Sequence, residues 1–103
     1  MCLLFSPHPD DEVITGGLAW RLRRQAAWRV VNAAVTLGSN QARRAARWHE
    51  LGACCDHLGF ELVSVSGQAG QGLERVTPDA ALAEPARWEA AVQRVADLML
   101  HYR

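Results

Sequence analysis

Apolar and polar positions along the chain fall into alternating short and long patterns. The apolar run MCLLF opens the chain, and residues 2–6, CLLFS, read as a continuous buried strand. Ile14, Leu18, Leu22 and Ala26 then recur at every fourth position, as one face of a helix would. WRVVNAAVTLG at 28–38 is β-branched enough for a second buried strand, and Gly38-Ser39-Asn40 supplies the turn chemistry that stops it. A long helix is predicted from about 41 to 58, with Ala46, Leu51, Cys54 or Cys55, and Leu58 on its apolar side and Gly59 in the position a C-cap favours. ELVSVS at 61–66 alternates as a third strand. The segment 67–82, with its glycines, a proline and little periodicity, is predicted to be a surface loop. Trp88, Ala91 or Val92, Val95, and Leu98 or Met99 mark a last helix that runs to the end.

Strand and helix therefore alternate three times in one domain, 1–103, without a linker or repeat. That order predicts an α/β fold, a Rossmann-like parallel sheet flanked by helices in three αβα layers. Ligands in such sheets bind beyond the carboxyl ends of the strands. Residues 6–12 and the loops at 38–40 and 67–72 should share that rim. Another strand would normally follow the last helix, so the chain is expected to be the N-terminal part of a longer protein, incomplete at its C-terminus. A three-stranded sheet also leaves an edge open to self-association into a homo-oligomer.

Composition narrows the function classes. Eleven basic residues balance eleven acidic ones, which leaves no excess of positive charge for nucleic acid or an anionic membrane. Every basic residue is arginine, so phosphate-loop and Schiff-base lysines are excluded for this chain. The apolar start MCLLF is far too short for a signal sequence or a membrane span, and a cytoplasmic protein is expected. Three cysteines with no CxxC spacing suggest buried small hydrophobes rather than a disulfide framework.

The chemistry concentrates in SPHPDDEV at 6–13, where the first strand should turn into its helix. Two readings are open. In one, Asp10 is a helix N-cap and Asp11 and Glu12 favour the positive end of the helix dipole. That reading leaves His8 unexplained. In the other, His8 and Asp11, three residues apart across a tight turn, ligate one zinc ion. Asp10 then acts as general base toward water whose pKa the ion lowers to about 7. Glu12 is an outer partner or a capping residue. Ferrous iron would suit the same donors.

At these residues the sequence resembles the PIG-L or LmbE-like family of zinc-dependent N-deacetylases. The family's His-Pro-Asp-Asp-Glu signature stands here as His8-Pro9-Asp10-Asp11-Glu12, with Pro7 where a small residue is usual. VTLG at 35–38 looks like the end of the family's second strand, and RWHELGACCDHLGF at 47–60 like its Arg-x-x-Glu helix. The resemblance implies that His8 and Asp11 ligate Zn2+, or Fe2+, and that Asp10 is the catalytic base. It further implies that Arg47 contacts the substrate and that Glu50 accompanies it. The implied reaction removes an acetyl group from a small N-acetylglucosamine conjugate by attack of activated water on the amide. A third ligand is implied as well, a histidine in a His-x-x-His-like motif beyond a following strand. Ser39-Asn40-Gln41 stands where the family commonly has an acidic or glycine-rich loop.

Other readings of these residues remain. His49 and His57 are eight positions apart on one helix, about 12 Å at helical rise, too far to share an ion. His101 sits where a cationic side chain suits a helix C-terminus. Arg47 could simply be one of a solvated run with Arg43 and Arg44. The competing functions are a Rossmann-like binding module without catalysis and a truncated, inactive product.

Overall fold

The computed structural model describes residues 1–14 and 16–103, with the side chains of Glu12 and Ile14 outside the described set. Three strands, β1 (Cys2–Ser6), β2 (Val30–Ala34) and β3 (Glu61–Ser64), form one parallel sheet in the order β1-β2-β3. The helices are α1 (Asp11–Ile14), α2 (Gly17–Gln25), α3 (Arg44–Leu58), α4 (Pro78–Ala83) and α5 (Pro85–His101), with a single 3-10 turn at Gln41–Arg43 ahead of α3. Three parallel strands flanked by helices make this an α/β fold, as the alternating pattern predicts.

The central strand is buried along its whole length because it is covered on both faces. Val30 and Ala34 pack with Leu51 and Cys55 of α3, Ala19 of α2, Leu37 and Phe60 in one core, against which Cys2, Leu4 and Leu62 lean. Val31 and Ala33 point the other way and are equally buried. On that side runs α5. Arg94 approaches Gly67 at the carboxyl end of the sheet, and the Tyr102 ring lies under the Arg29 guanidinium at the opposite end.

Side-chain chemistry ends the elements where expected. Gly59 closes α3 in the left-handed conformation (φ 76°), and Phe60 N–H donates back to Cys55 O at 2.8 Å. Two departures are informative. The helix expected after β1 is two segments, and the four-residue repeat does not mark its inner face: Leu18 is 69% exposed and Ala26 is exposed, whereas Ala19 is buried. Leu18 stands in the first turn of α2 and Ala26 is its C-cap, so both fall at helix ends, where little is packed against them. Within the supposed loop 67–82, Pro78–Ala83 is helical. Thr77 accepts from Ala80 N–H at 3.1 Å and Pro78 takes the first helical position.

Candidate active site

The strand-to-helix turn hangs from the end of β2. Beyond the regular pairing, Val35 N–H donates to Ser6 O, and both the Thr36 N–H (3.1 Å) and its hydroxyl (2.6 Å) donate to Pro7 O. The carbonyl of Pro7 is thus held twice, immediately before His8. Underneath, the Ser6 hydroxyl donates to Asn32 Oδ1 at 2.6 Å and Asn32 Nδ2 to Cys55 Sγ at 3.5 Å, a fully buried polar chain from β1 through β2 to α3. Buried polar groups are tolerated when they are satisfied, and a satisfied chain fixes one arrangement.

Within the turn, the His8 N–H donates to Asp11 Oδ2 at 2.8 Å and the Asp11 N–H to His8 O at 3.3 Å. His8 Nδ1 lies 3.8 Å from the same Asp11 oxygen. Asp10 adopts a positive φ of 85°, an uncommon conformation for a residue with a side chain and one that clusters at functional sites. Asp10 is exposed, and Val13 N–H donates to its carbonyl at 3.0 Å. Asp10 is therefore not a simple N-cap.

Across from the turn, α3 presents one face. His8, Pro9 and Asp10 line a cleft of about 410 Å³ together with Gly38, Arg43, Arg47, Glu50, Leu51 and Cys54. That volume falls in the range of small-molecule sites, about 300–1,000 Å³. Arg43, Arg47, Glu50 and Cys54 share a face because they recur at helical spacing. Arg47 is half-buried rather than a freely solvated member of an arginine run, and its Nη1 donates to Leu37 O at 3.1 Å. Gly38, at φ 87°, makes room for it, since a Cβ there would lie 1.8 Å from Arg47 Nη1. A second cleft, about 630 Å³, shares His8, Gly38 and Arg47 with the first and continues past Thr36, Ser39 and Gln41 to Thr77. Arg44 donates to Gly38 O at 3.0 Å and pairs with Glu74, whose carboxyl the hydrogen bond from Arg44 holds below its ordinary range.

The sequence-derived residues thus divide. His8, Asp10, Arg47 and Glu50 converge on one cleft, Asp11 is bonded into the turn beside them, and the Glu12 side chain lies outside the described residues. His49, His57 and His101 are exposed and line neither cleft. Asn32 was not legible as a support, because a lone Asn in an apolar run carries no spacing signal. Ligands of one tetrahedral ion at about 2.0–2.1 Å stand about 3.3–3.5 Å apart, and the exposed His8 imidazole and Asp11 stand at 3.8 Å. Among the described residues no group of three or more His, Cys, Asp or Glu could hold an ion.

No curated protein and no solved structure matches the chain. A family model does, PIG-L (GlcNAc-PI de-N-acetylase), over residues 3–103. The match spans the His8–Asp11 turn, the strand end that suspends it and the helix that carries Arg47 and Glu50, and the chain belongs to the PIG-L family of de-N-acetylases.

Proposed function

We propose that this chain contributes the catalytic turn of a metal-dependent hydrolase that removes the acetyl group from an N-acetylglucosamine conjugate. The observation that carries the reading is the convergence of His8 and Asp10 with Arg47 and Glu50 on one cleft at the carboxyl rim of the sheet. Family membership supports the deacetylase chemistry.

His8 and Asp11 are the residues that would hold zinc or ferrous iron. The chemistry such an ion supplies when bound is Lewis acidity toward the amide carbonyl and a lower pKa for water. Asp10 takes a proton from the attacking water and delivers it to the departing nitrogen, so that the C–N bond breaks to acetate and a free amine. Asp10 takes its unusual positive φ beside Asp11, whose carboxylate the His8 N–H holds in the turn. Arg47, pinned on Leu37 O, and Glu50 offer a donor and an acceptor to sugar hydroxyls. Leu51 and Cys54 form the less polar floor of the cleft.

A second reading is favoured by the two-donor set at His8 and Asp11, which makes a binding module without turnover chemically reasonable. One experiment separates them. The protein is dialysed against limiting zinc or iron(II), its metal content is measured, and amine release from N-acetylglucosamine is followed for the parent, His8→Ala, Asp11→Ala and Asp10→Asn. Near one metal per chain, lost in the first two variants, with hydrolysis reduced about 10²–10⁴-fold in Asp10→Asn at unchanged metal content, is the expected result. Sugar binding without amine release from the metal-loaded parent would establish the binding module instead.

A further inference from the structure

The segment 35–38, just beyond β2, carries both sides of the cleft. Thr36 holds Pro7 O immediately before His8, and Leu37 O holds the Arg47 guanidinium over Gly38. A shift of this segment would move the His8 turn and Arg47 together. On its other side lies the chain that follows β3, and successive residues there hold it in place. Leu73 N–H donates to Val35 O at 2.8 Å. Glu74 pairs with Arg44, whose Nε donates to Gly38 O at 3.0 Å. Beside these ties Gly72 stands against the Thr36–Leu37 peptide: a Cβ on it would lie 2.7 Å from Leu37 N and 2.9 Å from Thr36 Cα. Both are backbone atoms, which cannot rotate aside as a side chain would. Upstream, Gln71 O accepts from Ser66 Oγ at 2.8 Å and from Ser64 Oγ, so the chain reaches Gly72 already anchored to the end of β3.

We propose that Gly72 is a positioning residue: having no side chain, it lets segment 71–74 seat against 35–38, and that contact sets the spacing between the His8 turn and Arg47. The proposal rests on the deacetylase reading for what binds between them. Gly72 lines neither cleft, so it acts only through the residues it abuts. Its requirement is one of space. Gly67 and Gly70, earlier in the same segment, take a positive φ of 83° and 80° as turns require, whereas Gly72 does not. Relieving the 2.7 Å approach to the 3.4 Å of an ordinary contact takes about 0.7 Å, more than the about 0.5 Å within which a binding constellation must hold. The stretch that reads as a surface loop in the sequence thus fixes two groups it never touches, the His8 turn through Pro7 O and Arg47 through Leu37 O.

The test compares the parent, Gly72→Ala and, as a control, Phe60→Leu in the core beside the amino end of β3. Urea unfolding, the backbone-amide NMR spectrum and calorimetric affinity for N-acetylglucosamine are measured for each. Both variants should lose stability. Only Gly72→Ala should shift the His8 amide resonance, which reports the 2.8 Å bond from that N–H to Asp11. Only Gly72→Ala should weaken sugar affinity, about tenfold, as Arg47 is displaced. Should Gly72→Ala not fold, Ser66→Ala, which removes one of the hydroxyls on Gln71 O, should give the same two changes at smaller amplitude. An unmoved His8 amide, a sugar affinity equal to that of a binding parent, or the same shift in Phe60→Leu overturns the positioning role. Failure of the deacetylase reading looks different. In that case the parent binds no N-acetylglucosamine, while the His8 shift in Gly72→Ala persists.

Discussion

The helices α3 and α5 are of similar length, yet they meet the sheet differently. Helix α3 buries Leu51 and Cys55, leans Trp48 and Leu58 on the same core and turns Arg47, Glu50 and Cys54 to the cleft, so its position relative to the His8 turn is fixed by packing. Helix α5 has no fully buried residue, and Val92, Met99 and Leu100 are each more than half exposed. Between α5 and the segment after β3 runs an apolar groove lined by Val35, Leu73, Val76, Trp88, Val95 and Met99. An apolar stripe thus specifies a helix and the side it would bury, while the amount buried depends on what is packed against it. The site stands on the well-packed helix, as a constellation that must hold its geometry needs to.

The largest test of this contrast is stability. Leu51→Ala should cost about 2–5 kcal/mol in urea unfolding, since it opens a cavity between α3 and β2. Leu100→Ala on the exposed side of α5 should cost about 0.5 kcal/mol or less. Comparable losses would show α5 to be as tightly packed as α3. A smaller effect sharpens the link between α3 and the site. Gly38→Ala imposes a strained positive φ and a Cβ on the Arg47 guanidinium, so about 1–2 kcal/mol of stability should be lost. Sugar affinity should fall with it, and an unchanged affinity would remove Arg47 from the binding surface.

The smallest effect lies far from the rim. Arg29 donates twice to Glu61, at 2.7 and 2.8 Å, and this hydrogen bonding holds the Glu61 carboxyl below its ordinary value of 4.5. A depressed folded pKa means the pair stabilises the protein above that ordinary value and loses its contribution as pH falls through the folded one. Both side chains are about half exposed, so the effect is small and screened by salt. Glu61→Gln should flatten the acid limb of the stability profile slightly, while leaving sugar binding near neutral pH unaltered. An acid limb identical to that of the parent would mean the pair contributes nothing in solution.

Legibility in the sequence followed the range of the physical signal. The strands, the long helix with its Gly59 cap and the last helix were readable because each rests on neighbouring residues. Helix α4 was readable in principle from Thr77-Pro78, a cap and a first-turn proline, but the glycines upstream masked it. The inner face of α2 was misread because Leu18 and Ala26 fall at the two ends of that short helix, and the spacing does not say where a helix begins and stops. Asn32 offered no cue, since its partners Ser6 and Cys55 come from two other elements.

By itself the sequence determined the alternation of elements, the parallel sheet and the crowding of His8, Asp10 and Asp11 at a strand-to-helix turn, all of them consequences of local conformation and short spacing. Tertiary structure decided which distant residues face that turn. It lifted Arg47 out of the solvated run and set it on Leu37 O over a glycine, and it brought Glu50 into the same cleft. It also paired Arg44 with Glu74, while among the described residues no carboxylate pairs with Arg43. The physical reason is that a charge has a partner only where folding puts one, and no spacing along the chain encodes which of three neighbouring arginines will find it.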